Sequence, residues 1–232
     1  MVAKTDLVLV PGLLCTKALW QPQLAALADV ATMTVADHTG HDSMEGIARS
    51  ILAAAPERFA LAGLSMGGYI AYAILRLAPE RVSKLALLDT GYRADLPERK
   101  KQRCALMALA EREGTRKAQE TLLGVLIHKS RLTHEALAEA VLKMGEDTGT
   151  EAFKRQQTAL MTRPDSAPLL PTIRVPTLVL VGDQDALTPP QTSQEIAERI
   201  PGAKLEIIGE CGHLSTMERP EAVNRALRTW LT

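Results

Sequence analysis

Ser65 stands in Gly63-Leu64-Ser65-Met66-Gly67-Gly68, one serine set between glycines where a tight turn would crowd any larger residue. A serine alcohol with an ordinary pKa is a weak nucleophile, so it attacks a carbonyl only when a general base takes its proton and a carboxylate orients that base. Both partners are available far downstream. Val181-Gly182-Asp183-Gln184-Asp185-Ala186-Leu187-Thr188-Pro189 carries two acids, and Gly209-Glu210-Cys211-Gly212-His213-Leu214 carries a histidine. The competing reading of the serine string is a glycine-rich turn with an incidental hydroxyl. What decides between them is whether the three segments share one edge of a fold.

The elements around them predict that they do. Short apolar runs alternate with helical patterns, the signature of a mostly parallel sheet flanked by helices. Strands are expected at Leu7 to Val10, Thr32 to Ala36, Arg58 to Ala62, Leu85 to Leu88, Thr177 to Val181 and Lys204 to Ile208. Helices are expected near Leu19 to Ala28, Met44 to Ala54, Gly68 to Ala78, Thr192 to Ile200 and Ala222 to Leu231. Ser65 then follows a strand and precedes a helix, while the acid and histidine loops each follow a strand. In a parallel sheet all three emerge at the carboxyl edge.

Residues 91–171 break the alternation. They read as helices at Pro97 to Arg112, Arg116 to His128, His134 to Met144 and Glu151 to Met161, with no strand among them. The expected organisation is a core of residues 1–90 and 172–232 carrying a helical cap at 91–171. Apolar faces on those helices can pack on one another or line a substrate pocket at the strand ends.

The chain resembles the α/β-hydrolase superfamily over essentially its whole length. The resemblance rests on the elbow at Ser65, the G-x-x-D loop at Gly182 to Asp185, the histidine ending at Gly209 to His213, and their order along the chain. The branch it looks like contains small carboxylesterases, enol-lactonases, carbon-carbon bond hydrolases and cofactor-free haloperoxidases. The resemblance implies Ser65 as nucleophile, His213 as base and Asp185 as acid. Asp89, in Leu88-Asp89-Thr90, is the rival acid, because some members draw the carboxylate from that strand, and Asp183 more simply braces its loop. It also implies an oxyanion hole from the main-chain N–H of Met66 and a second donor after the first strand. In Val10-Pro11-Gly12-Leu13-Leu14-Cys15 that donor is Leu13, with Leu14 as substitute. Most relatives have His-Gly where this chain has Pro11-Gly12, a departure that removes a side chain and keeps the donor.

Other reactive residues fit blander roles. Cys211 reads as a small packing residue and Cys15 lacks an elbow of its own. His38 and His41 have a spacing that could suggest a metal, but no second ligand pair stands at a recognised distance, so neither metal nor cofactor is expected. His128 and His134 flank a turn in the cap and are expected to face solvent. Arg93 and Arg163, at the cap's two junctions, could offer counter-charge to an anion, though solvent-facing roles are the simpler expectation.

Composition narrows the class. With 232 residues, 27 Lys plus Arg against 27 Asp plus Glu, the chain has room for a full core and no basic stripe for nucleic acid or acidic membranes. The longest apolar run, Leu7 to Leu14, is broken by Pro11 and Gly12 and is far short of a membrane span. Three scattered cysteines argue for reduced thiols, and Met1 to Asp6 has no signal-type apolar region, so a cytoplasmic location is expected. Leu106, Met107, Leu109, Leu122, Leu126, Met144 and Met161, in a chain with 3% aromatic residues, favour a short or medium apolar acyl group. The expected activity is therefore a carboxylesterase acting on a small-molecule ester or lactone through an acyl-enzyme. The alternatives are enol-lactone or carbon-carbon cleavage by the same triad, a perhydrolase, and a ligand receptor without turnover. The sequence assigns no oligomeric state.

Overall fold

The computed structural model describes residues 4–232. Six strands form one parallel sheet: β1 (Thr5–Val10), β2 (Ala31–Val35), β3 (Phe59–Leu64), β4 (Val82–Leu88), β5 (Thr177–Gly182) and β6 (Lys204–Ile208). Their spatial order is β2-β1-β3-β4-β5-β6. The chain leaves β1 toward one edge and returns to β3 on the other side, so the winding reverses between those two strands. Loops leaving β1 and β3 therefore diverge and open a crevice at the carboxyl edge.

The period of two along each strand divides the core. Val8, Val10, Leu61, Leu85, Leu87 and Val179 face one side, where they pack with Ile47, Ile70 and Ile196. Leu7, Leu9, Ala60, Ala62, Leu178 and Leu180 face the other, against Trp20, Val223 and Leu227. The covering helices are α1 (Gln21–Ala26), α2 (Met44–Ala54), α3 (Met66–Leu77), α8 (Pro190–Arg199), α9 (Ser215–Glu218) and α10 (Pro220–Leu231); between β4 and β5 run α4 (Pro97–Glu113), α5 (Thr115–Leu126), α6 (Glu135–Thr148) and α7 (Thr150–Thr162). On α10 the buried residues Val223, Leu227 and Leu231 recur at four-residue spacing, which places one stripe on the sheet.

Two boundaries differ from expectation for a common reason. β3 runs on to Leu64 and α3 begins at Met66, because Gly63 pairs in the ladder opposite Val10 and the entire reversal is made at Ser65. A glycine-rich string reads as loop, yet here its glycines serve close approach. A Cβ on Gly63 would collide with the carbonyl of Gly67, and one on Gly67 with the carbonyl of Val10. The expected first helix is split into a 3-10 turn at Lys17–Trp20 and α1, since Pro22 enters at the start of a helix. α9 has no counterpart among the expected elements; at four residues it is too short to show a period. Among the described residues, no helix is long and apolar enough to cross a membrane.

Candidate active site

Ser65 occupies φ 54° and ψ −111°, a backbone conformation that a side chain tolerates only under constraint. The constraint is visible on both sides. Its N–H donates to Leu88 O at 2.9 Å and its carbonyl accepts from Thr90 Oγ1 at 2.7 Å, so the neighbouring strand grips the turn. The hydroxyl is thereby lifted clear of the sheet, at the amino end of α3.

His213 meets it. Nε2 lies 2.8 Å from Ser65 Oγ, and Nδ1 lies 2.7 Å from Asp185 Oδ2. Asp185 is itself fixed by the N–H groups of Leu187 and Thr188 on Oδ1, at 2.8 and 2.9 Å, and by Thr188 Oγ1 on Oδ2 at 2.7 Å. Burial opposes the charge on Asp185, but His213 and the Thr188 donors overcome it and hold the carboxyl below its ordinary range. Burial also opposes imidazolium at His213; Asp185, by charge and by hydrogen bond, outweighs that and raises the histidine above its ordinary value.

The rival acid takes a different place. Asp89 Oδ1 accepts from Gly182 N at 3.0 Å and Oδ2 accepts from Ser215 Oγ at 2.5 Å, so it ties β4 to β5 and to α9 rather than reaching His213. Burial, with Asp185 adding to it, pushes the Asp89 carboxyl up to about 8. Asp183 braces the histidine loop by accepting from Cys211 N at 3.0 Å.

The oxyanion candidates separate just as cleanly. Neither Leu13 N–H nor Met66 N–H meets an acceptor among the described residues, and both residues line the same cavity as Ser65 and His213. Leu14 is unsuited, since its N–H donates to Gln156 Oε1 at 3.2 Å and its side chain is buried with Ala110, Ala118 and Phe153. Leu14 also sits at φ 54°, so the loop after β1 is bent around a residue anchored in the insertion. His38 Nε2 reaches Gly12 O at 2.9 Å and Gln156 Nε2 at 3.0 Å, which places this histidine against the loop that follows β1. His41 is exposed.

Several supporting residues carried no signal in the sequence. Glu218, from the unexpected α9, accepts from His128 N at 2.7 Å and Gly212 N at 3.0 Å, and so locks the histidine loop to the end of α5. His213 N also donates to Leu126 O at 3.0 Å. His128 is consequently buried rather than solvent-facing: the chain after α5 is threaded against the histidine loop, which buries it whatever its polarity. Arg163 is likewise buried, its guanidinium 4.1 Å from the Tyr69 ring centroid, while Arg93 stays exposed and pairs with Glu195 at 3.0 Å. Burial pushes the Cys15 thiol up to about 12 and raises Cys211 further, which leaves neither as a thiolate near neutrality.

A cavity of about 510 Å³ opens above Ser65. Leu106, Leu122 and Leu126 line it, with Leu160, Leu187 and Leu214 completing an aliphatic wall. Met107, Leu109, Met144 and Met161 do not; Met144 is buried in the core with Val141. The dimensions fit a small molecule. In chemical terms the site places an alcohol, a buried imidazole and a buried carboxylate in one hydrogen-bonded line, beside two residues whose N–H groups are unspent among the described residues.

The sequence profile of the Alpha/beta hydrolase family matches residues 7–226. Among solved structures, a thermophilic esterase from Thermogutta terrifontis superposes with a TM-score of 0.91 at 32% identity, covering 99% of this chain and 90% of the esterase. An enol-lactonase from Burkholderia xenovorans gives a TM-score of 0.89 at 24% identity, with 99% and 92% covered, and shares the fold. In sequence, a 2-hydroxy-6-oxononadienedioate/2-hydroxy-6-oxononatrienedioate hydrolase from Burkholderia vietnamiensis is 30% identical over 176 residues, 74% of this chain. The match spans 61% of that relative's length.

Proposed function

This chain belongs to the alpha/beta hydrolase family, and on that footing we propose that it is a serine carboxylic ester hydrolase acting through an acyl-enzyme. The observation that carries the proposal is the unbroken line of contacts from Asp185 through His213 to Ser65, at 2.7 and 2.8 Å, the last two lining a cavity that Met66 and Leu13 also line. Residues 91–171 act as the cap that closes this cavity from above, over a core of residues 1–90 and 172–232.

The reaction follows from the geometry. His213 Nε2 takes the Ser65 proton as Oγ bonds to the ester carbonyl carbon, and the carbonyl oxygen gains charge between the Met66 and Leu13 donors. The resulting imidazolium, steadied by Asp185, returns the proton to the departing alkoxide, which leaves as the alcohol. Water then attacks the acyl-enzyme with His213 again as base; the carboxylic acid departs and Ser65 recovers its proton. A lactone would open by the same steps with acid and alcohol retained in one molecule. The aliphatic wall favours a short or medium hydrocarbon chain next to the scissile carbonyl.

A fluorophosphonate probe followed by peptide mass analysis, together with p-nitrophenyl esters of graded chain length, tests the reading. Labelling at Ser65 with turnover of a short or medium ester is the expected result. Substantial hydrolysis surviving in Ser65→Ala would overturn it. Labelling without turnover of any ester or lactone would favour a ligand receptor, and peroxide-dependent halogenation would favour a perhydrolase.

A further inference from the structure

Arg99, Arg103 and Arg163 all line the cavity that holds Ser65, and Asp95, also in its lining, pairs with the last two. Asp95 is almost fully enclosed, with 3% of its side chain exposed; Arg163 and Arg103 keep 6% and 11%. Arg103 Nε lies 2.6 Å from Asp95 Oδ2 and Arg163 Nη2 lies 2.8 Å from Asp95 Oδ1. One negative charge thus bridges two buried positive ones. A structural staple within the insertion would need one cation for that carboxylate; a second, held out of water, leaves positive charge uncompensated and is costly without a further anion.

The hydrogen-bond inventory gives an independent reason. A guanidinium carries five N–H groups in a planar fork. Arg163 directs Nε to Arg93 O at 3.1 Å, Nη1 to Leu160 O at 2.7 Å and Nη2 to Asp95, leaving one hydrogen on each terminal nitrogen. Arg103 spends Nη1 on Gln157 Oε1 at 2.8 Å, which turns the other end of that amide loose. Gln157 is fully buried, lines the cavity, and its Nε2 has no partner among the described residues. A buried amide donor without an acceptor is expensive unless something else supplies one.

We propose that Arg103, Arg163 and Gln157 form a carboxylate-binding subsite at the cap end of the cavity, so that the ester cleaved at Ser65 carries a second, anionic carboxyl group. The proposal rests on the ester hydrolase reading and narrows its substrate class to hemi-esters or lactones of dicarboxylic acids. The leucine wall accommodates the methylenes between the two ends. A single planar carboxylate matches both the residual charge and the forked donors.

The test uses monomethyl esters of succinate, glutarate, adipate and suberate beside the matching dimethyl esters, in two formats. Calorimetric titration into the full-length Ser65→Ala protein reads binding without turnover. There the best monomethyl ester is expected to bind about tenfold or more tightly than its dimethyl partner. Arg103→Met and Gln157→Leu, each in the Ser65→Ala background, should shrink that ratio. Asp95→Asn is the sign test, because it removes the competing carboxylate: the monomethyl ester should then bind more tightly, whereas a purely structural staple predicts equal or weaker binding of both. Equal binding of the two ester types at every chain length, or no binding of either, would overturn the subsite. Kinetics on the unmodified chain separates the two levels. Hydrolysis without discrimination sinks the subsite and leaves the esterase, while discrimination in binding with no hydrolysis sinks the esterase and leaves the subsite.

Discussion

Ser65, Asp185 and His213 are held largely by main-chain groups at strand ends, whereas Arg103 on α4, Gln157 on α7 and Arg163 just past α7 meet through side chains of the insertion, Arg103 and Arg163 on Asp95 and Arg103 on Gln157. The first set takes its geometry from parallel ladders whose register puts Val10 level with Gly63 and Leu64 level with Leu88. The second depends on which side chains the insertion brings together. A site built this way can change what it binds without moving the atoms that react. Variants at the strand ends should therefore remove turnover of every substrate, and variants in the insertion should alter the ranking among substrates.

The largest expected effect breaks the comparison on the strand-end side. Ser65→Ala or His213→Ala should lower kcat by about a millionfold for every ester assayed. A loss confined to one substrate class would mean that these residues select rather than react. Next comes the acid. Asp185→Asn should cost about ten-thousandfold in kcat, because the imidazole loses the partner that fixes its tautomer and stabilises its charge. Asp89→Asn, whose carboxylate holds Ser215 and Gly182, should cost about tenfold or less. Reversal of that order would hand the acid's role to Asp89.

Acidity tests the same partnership by sign. On the proposed mechanism His213 must be neutral to accept the Ser65 proton, and Asp185 holds its pKa above the ordinary 6.5. Turnover should then fall by about tenfold per pH unit on the acid side, with a midpoint above 6.5. Asp185→Asn removes the largest upward push and leaves burial, which favours neutral imidazole, against the smaller pull of Asp89 and Glu218, so the residual activity should persist to lower pH. A midpoint that stays put in the variant would show that Asp185 does not govern the base.

On the insertion side the expected changes are smaller. Leu106→Ala or Leu122→Ala should enlarge the aliphatic wall and raise kcat/KM for longer acyl chains relative to short ones by roughly tenfold. Parallel losses at every chain length would put these leucines in the machinery rather than in the wall.

The same division explains what could be read from the sequence. Gly63, Ser65, Gly67, Asp185 and His213 announce themselves because the roles proposed for them demand particular residue types immediately after apolar strand runs. Elements with a clear period, such as β5 and α10, fell within a residue or two of expectation. Glu218, Gln156 and Gln157 gave no such signal, since any polar residue at those positions reads as solvated surface until the packing of α9 and α7 buries it. Arg163 and His128 were misplaced for that reason. Nothing local marks a polar residue whose burial is decided by an element distant in sequence.

The smallest expected effect concerns the strain at the elbow. Ser65 adopts φ 54° and ψ −111°, a conformation costly for any residue with a Cβ and open to glycine. Ser65→Ala and Ser65→Gly both remove the hydroxyl and both leave His213 Nε2 without that partner, so the difference between them isolates the backbone. The glycine variant also gains unfolded-state entropy, which offsets part of the relief. The balance should leave Ser65→Gly more stable than Ser65→Ala by about 1 kcal/mol, or roughly 2–4 °C in Tm for a chain of this size. Leu14, at the same φ but anchored in the insertion by its side chain, sharpens the contrast. There Leu14→Gly should lower Tm despite relieving the same angle, because the buried contacts with Ala110, Ala118 and Phe153 are lost. Equal melting temperatures for the two Ser65 variants would show that the elbow stores no strain, and that the grip of Leu88 and Thr90 on it costs the fold nothing.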